Sequence, residues 1–466
     1  MTAGTVRLTT AQALVRWLQA QHSERDGEVR RAVPAIFGIF GHGNVLGLGQ
    51  AIRQEGSELP LYQPKNEQAM VHAAMGYAKA SRRLATLACT ASIGPGSTNM
   101  LTGAATATTN RLPVLLLPSD TFANRRQGPV LQQLEHPTDA DVTVNDAFRP
   151  LSRFFDRIAR PEQLLTALPQ AMRVLLDPAE TGAVTVALHQ DVQGEAFDYP
   201  TGFFERRQWP VPRRVPTARE VRDAADTLRA ARRPFVIAGG GVRYSGAEEA
   251  LRRFAAELGV PVAETSAGKG ALTDSAWLAG GIGVNGTRAA NELARDADVV
   301  VCVGTRLSDF TTGSLSLFQD PDVRFVAINV NAADAYKLAA APVVADAREG
   351  LDALREALGR WTSAPDHTRA VADGVARWRH DLAADVAPRP GEPMGQGEVL
   401  RAIERAVRAG DWVVAAAGWQ PGDLLKLWET PPGSFTHIEF AFSCMGHEIP
   451  AGLGIRLHEG DGGEVI

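Results

Sequence analysis

The stretch "LATLACTASIGPGSTNMLTGAATATTNRLPVLLLPSD", Leu84 to Asp120, alternates two kinds of pattern. "LATLACTA" and "LPVLLLPSD" are short apolar runs of strand length. Between them lie a polar, glycine-rich turn and a helical run of small residues, Gly96–Thr108. Two strands joined through a helix cannot form a hairpin; they lie parallel, the helix crossing one face of the sheet. The grammar repeats on both sides. "AVPAIFGIFG" and "GAVTVALHQD" add strands, while Glu67–Ser81 and Pro161–Leu176 read as helices. Strands apolar at nearly every position are buried on both faces, which predicts a doubly wound parallel sheet.

A proline-, aromatic- and arginine-rich run, "FDYPTGFFERRQWPVPRRVPTARE", then reads as a linker. The same grammar resumes in "RPFVIAGGGV", "GVPVAETSAGKG", "ADVVVCVGTRLSD" and "VRFVAINVN". A third segment opens at "GQGEVLRAIERAV", continues with "DWVVAAAG", and reaches Ile466 after one helix and one clear strand. The expected architecture is α/β, with three doubly wound parallel-sheet domains, the third incomplete. Their expected bounds are 1–192, a linker 193–216, 217–362, a linker 363–394, and 395–466.

Composition excludes several function classes. The chain has 466 residues, 45% hydrophobic and 22% charged, as in ordinary globular proteins. Lys+Arg 48 against Asp+Glu 53 gives a net charge of −5 without long blocks of either sign, so no nucleic-acid partner is expected. No run approaches the roughly 20 apolar residues of a membrane span, so no membrane partner is expected either. The N-terminus lacks the apolar core of a signal peptide, and Thr9 or Thr10 would cap an amphipathic helix there. Cys89, Cys302 and Cys444 are widely spaced in apolar settings, which fits buried thiols in a reducing cytoplasm rather than disulfides or zinc ligands.

Three stretches carry polar groups where an α/β sheet places ligands. In "GIFGHGNVLGLGQAI", His42 and Asn44 stand in a glycine-rich turn at the carboxyl end of a strand. In "SIGPGSTN", Ser92 to Asn99 would set hydroxyls and backbone N–H groups at a helix start. In "QPKNEQAMVHAAMGYAKA", a helix apolar nearly all round carries Glu67 in its first turn. That acid is either a cap favoured by the helix dipole or a carboxylate buried enough to need one strong partner. The glycines of "AGGGV", Ala238–Val242, lack the spacing of a dinucleotide loop and read as a tight strand-to-helix turn.

Together these motifs resemble the thiamine-diphosphate enzymes of the acetolactate synthase and pyruvate oxidase type. "NEQAMVHAAMGYAKA", "SIGPGSTNMLTGAATA", "NRLPVLLLPSD", "TSAGKGALTD", "ADVVVCVGTRLSD" and "SCMGHEIPAGLGIRL" occur in that family's order and cover nearly the whole chain. "GIFGHGNVLGLGQA", "YQPKNEQAMVHAA" and "PGDLLKLWE" are similar to its branch of C–C bond hydrolases in inositol catabolism. Those open the ring of 3D-trihydroxycyclohexane-1,2-dione to 5-deoxyglucuronate. The alternatives are an acetolactate synthase-like carboligase or decarboxylase of 2-oxo acids, and a non-catalytic fragment.

The resemblance implies a pyrimidine-binding, a central and a diphosphate-binding domain, with thiamine diphosphate and Mg²⁺ as cofactors. It makes Glu67 the acid on the cofactor's pyrimidine ring, with Ser92 and Asn99 beside it. His42, Asn44, Gln132 and Gln133 fall on the substrate side. Gly418, Trp419 and Gln420 match the loop near the diphosphate, although relatives of this branch read Gly-Ser-Leu-Pro-Gly-Asp there. Met445 matches the residue that props the cofactor into its bent shape. The site of such enzymes forms between subunits, which implies a homodimer or homotetramer.

The family's metal motif is Gly-Asp-Gly followed by Asn-Asn. Gly460–Gly462 does not qualify, because an apolar "EVI" follows it and no Asn-Asn comes after. A turn at Glu459–Gly463 leading into a strand at Glu464 is expected instead. No metal ligand is therefore assigned in this sequence; the ligands are expected beyond Ile466. A chain cut there is expected to bind the cofactor weakly or not at all and to turn nothing over.

Overall fold

The computed structural model describes residues 4–124 and 129–466, which form two compact units. The first comprises Met1–Pro212 with Gly446–Gly460, and the second Arg213–Met445 with Asp461–Ile466.

The first unit is built on a six-stranded parallel sheet in the order Leu61–Tyr62, Ile36–Ile39, Ala88–Ala91, Val114–Asp120, Ala183–His189, Phe154–Ile158. Alternate residues of each strand face opposite sides. Ile36, Ala88, Leu115 and Val184 pack into one core with the helices Thr10–Gln19 and Leu164–Leu176. On the other face, Cys89 reaches the helix Glu67–Ala80, its thiol donating to the Met70 carbonyl at 3.5 Å. Thr9 caps the first helix in a capping box with Gln12, as its sequence predicts.

The second unit repeats this plan, with strand order Leu278–Gly281, Val262–Glu264, Pro234–Ala238, Val299–Val303, Arg324–Ile328, Ala341–Val343. Its faces are covered by separate cores. Val236, Val301 and Val326 meet the helices Ala218–Arg229, Glu248–Leu258 and Ala347–Leu358. Ile237, Val300 and Cys302 meet Arg288–Asp296 and Pro365–Asp385. The "AGGGV" stretch is the tight turn expected. A Cβ on Gly241 would stand 2.6 Å from the Cα of Gly304, so only glycine lets the helix start and the Gly304 loop touch.

Trp412–Ala415 and Phe435–Ile438 form a third, two-stranded parallel sheet within the second unit. Residues 464–466 extend it, with Ile466 N–H donating to the Trp412 carbonyl at 2.8 Å. The turn after Glu459 and the strand-like run from Glu464 are both present.

Both expected linkers are shorter than predicted. Within 193–216, Tyr199 is fully buried, Phe203 stacks on Trp17 at 5.9 Å, and Arg207–Pro210 pairs with Gln21–Arg25. Its aromatics lie in or pack against the core, and only about Val211–Thr217 runs free of regular structure. Within 363–394, the helix Pro365–Asp385 buries Val371, Val375, Trp378 and Leu382 against the central sheet. All three cysteines are free, but only Cys89 and Cys302 are buried; Cys444 is partly exposed. Burial pushes the Cys302 thiol up to about 12, and that of Cys89 higher still. Among the described residues, no helix is long and apolar enough to cross a membrane.

Candidate active site

Glu67 opens its helix but does not cap it. The cap is Asn66, whose Oδ1 accepts from Ala69 N–H at 2.9 Å. The Glu67 side chain turns to a different partner, Asn99, whose Nδ2 donates to Oε2 at 3.1 Å. Asn99 can reach it because the predicted helix Gly96–Thr108 is broken. A short turn of helix, Pro95–Thr98, ends at Asn99, and a second helix, Leu101–Asn110, begins after Met100. Beside the other oxygen stands Gly96: a Cβ there would lie 3.4 Å from Oε1. Glu67 is half-buried, less dry than its apolar helix implies.

The His42 turn abuts this pair through the loop Ser92–Asn99. A Cβ on Gly41 would stand 2.5 Å from Ser92 Oγ, and one on Gly43 would stand 3.0 Å from Ile93 N. Ser92 Oγ is enclosed there and has no hydrogen-bond partner among the described residues. His42 is exposed at the rim. Asn44 stands two residues further along the same turn. It is buried, Oδ1 accepts from Gly41 N–H at 3.0 Å, and Nδ2 donates to the Ile39 carbonyl and to Thr90 Oγ1 at 3.3 and 3.2 Å. Both Nδ2 hydrogens of Asn44 are thus committed to the flanking strands, which fixes the turn. Gln132 lies with its backbone against Gly94, and the Gln133 carboxamide is enclosed without a hydrogen-bond partner among the described residues.

Two family descriptions match this chain. The "Thiamine pyrophosphate enzyme, N-terminal TPP binding domain" covers residues 9–141, and the "Thiamine pyrophosphate enzyme, central domain" covers residues 221–354. The chain is 45% identical to 3D-(3,5/4)-trihydroxycyclohexane-1,2-dione hydrolase of Bacillus cereus (strain AH820), over 98% of this chain and 74% of that protein. It is 46% identical to the protein of the same name from Geobacillus thermodenitrificans (strain NG80-2), over 98% and 75%. The chain belongs to the thiamine pyrophosphate enzyme family.

The pyrimidine side of a thiamine pyrophosphate enzyme fits the first unit. A half-buried carboxylate has one fixed donor, an orphaned hydroxyl lies nearby, and a glycine leaves room beside Oε1. The small residues after Glu67 serve helix contact. Gly103 packs on Val71, where a Cβ would fall 2.6 Å from the Val71 Cβ. The helix Glu448–Glu459 crosses the Glu67 helix with Gly454 on the Ala73 carbonyl and Gly76 on the Ala451 carbonyl, both too close for any Cβ. Gly454→Ala should therefore cost about 1–3 kcal/mol, read as a lower midpoint in urea unfolding. An unchanged midpoint would refute this crossing.

The residues expected on the diphosphate side lie in the second unit. Gly418, at φ +138°, opens the helix Trp419–Leu427. Trp419 and Met445 are 84% and 76% exposed, and Gln420 is exposed too. The far end of this helix is held by a side chain that sequence reading passed over. Lys269 Nζ donates to the Leu425 carbonyl at 3.3 Å and lies 3.7 Å from Glu264 Oε2, both side chains being buried. Burial pushes the Glu264 carboxyl up, against the pull of Lys269. Lys269 sits inside "TSAGKGALTD", but nothing in its spacing announces a buried ion pair. Among the described residues, no three His, Cys, Asp or Glu side chains gather into a metal cluster.

Proposed function

We propose that this protein is a thiamine-diphosphate-dependent hydrolase that breaks a C–C bond of 3D-trihydroxycyclohexane-1,2-dione, opening its ring. The similarity to the Bacillus and Geobacillus hydrolases, running through nearly the whole chain, carries this reading. Thiamine diphosphate, when bound, supplies a carbon nucleophile that the twenty side chains lack. Glu67 would hold its aminopyrimidine, with Asn99 fixing the carboxylate through Oε2 so that Oε1 shares a proton with the ring. Gly418, Trp419, Gln420 and Met445 would face its other end, with Mg²⁺ on the diphosphate. His42, exposed at the rim of the turn, would orient the hydroxyls of the dione, and Gln132 and Gln133 would border the same side.

The reading includes three domains, pyrimidine-binding, central and diphosphate-binding, of which the family matches support the first two. It includes a cytoplasmic setting, supported by three free thiols. It also includes a homodimer or homotetramer. Ile449 and Leu453, one turn apart on one helix, are 81% and 51% exposed, apolar surface that a second subunit would cover.

The test is a pair of assays on the complete enzyme with thiamine diphosphate and Mg²⁺: acid release from the cyclic dione, and consumption of pyruvate. Acid release without pyruvate consumption is expected. The reverse result would make the protein a 2-oxo acid carboligase or decarboxylase.

A further inference from the structure

The turn that carries His42 does not hold itself together by a regular pattern. Val45–Gly49 forms a single π-helical turn, a wide form that persists where its surroundings fix it and that recurs at functional sites. Asn44 ties the turn internally. From outside it is held by Gln193, which is buried on the short 3₁₀ turn Val192–Gly194.

The Gln193 carboxamide uses both of its ends. Nε2 donates to the Gly43 carbonyl at 2.8 Å and to the Leu188 carbonyl at 3.3 Å. Oε1 accepts from Leu48 N–H at 3.1 Å. The side chain fills the space that a Cβ on Gly47 would take, so this glycine is what admits it. Leu188 belongs to the sheet strand Ala183–His189. One side chain thus binds the residue after His42, the far end of the π turn and the rigid sheet. A buried carboxamide can do this because it offers donors and an acceptor on one planar group.

We propose that Gln193 is a positioning residue for the reaction, fixing the turn so that His42 meets the cyclic dione in one orientation. This rests on the reading of His42 as a substrate-side residue. Gln193 itself touches no reacting atom. A glutamate would keep the acceptor for Leu48 and turn an oxygen against two carbonyls; a methionine would keep the length and lose all three bonds.

The experiment compares wild type, Gln193→Glu and Gln193→Met in the complete enzyme. Three quantities are read: amide hydrogen exchange over 41–50, steady-state constants for the dione, and thiamine diphosphate affinity with Mg²⁺. In both variants, exchange at Gly43–Gly49 should rise about tenfold or more, with the strand Val114–Asp120 within about twofold of wild type. KM for the dione should rise about ten- to a hundredfold, with kcat and cofactor affinity within about threefold. Should the buried charge of Gln193→Glu prevent folding, Gln193→Met decides alone. Unchanged exchange in the turn, an equal rise throughout the sheet, or a fall in kcat at constant KM would each overturn the proposal. If exchange in the turn responds but wild type does not open the dione, the substrate reading falls and the hold of Gln193 on the turn stands.

Discussion

Glu67→Gln in the complete enzyme is expected to lower kcat by about 10²- to 10⁴-fold, with thiamine diphosphate affinity within about tenfold of wild type. The substitution is nearly isosteric. The glutamine carbonyl can still accept from Asn99 Nδ2, so the loop Ser92–Asn99 keeps its place. What is lost is a negative oxygen next to Gly96, able to take and return a proton. The neutral amide can donate to a ring nitrogen but cannot promote loss of a proton elsewhere on the ring. Asn99→Ala probes the same carboxylate from the other side. It leaves the charge and removes the donor to Oε2, so a smaller loss of about tenfold is expected. Steady-state rates and calorimetric titration of the cofactor check both. Turnover of Glu67→Gln within tenfold of wild type would remove Glu67 from the chemistry.

How much of this was legible in the sequence differs between core and site. The buried strands declared themselves, because a parallel sheet covered on both faces demands apolar residues at consecutive positions. The edge strands Leu61–Tyr62, Phe154–Ile158, Leu278–Gly281 and Ala341–Val343 did not, being short or half-polar at the sheet margin. The aromatic run after Phe197 looked like a linker because proline and arginine dominate it. Tyr199 and Phe203 nonetheless pack against the first helix, which composition cannot convey. In the site, Glu67 was conspicuous as a lone acid on an apolar helix. Its partner depended on a break at Asn99 that a run of helix-compatible residues concealed. An asparagine in a glycine turn can face either way, and the three hydrogen bonds that turn Asn44 inward leave no mark in the sequence. Gln193 and Lys269 had no sequence signal at all, since their roles lie in contacts to backbone carbonyls far along the chain.

Acid should loosen the crossing of the Glu67 helix and the helix Glu448–Glu459, and the cause is a pair of buried imidazoles. His72 and His447 meet edge to face with ring centroids 4.8 Å apart, and both are buried. Burial lowers the pKa of His72 to about 4. Burial, then the neighbouring His72 and Lys79, lower that of His447 to about 3. Both rings are therefore neutral when the helices are docked, whereas undocked rings would protonate near pH 6.5. Between those values the undocked state binds more protons, so stability is fully present above about pH 6.5 and declines as pH falls toward 4. For His72 alone the loss amounts to about 3 kcal/mol across that window. Carboxylates elsewhere also titrate there, so the decisive quantity is a difference. His72→Leu keeps an apolar side chain of similar bulk and removes one titrating ring. Its urea midpoint should fall less than that of wild type between pH 7 and pH 4.5, and exchange in Glu448–Glu459 should rise less. Parallel decline of the two proteins would show that the imidazole pair does not govern the crossing. The physical asymmetry favours the first outcome. A surface carboxylate can accept a proton in place, whereas a ring buried against another ring accepts one only at the cost of charging a desolvated group.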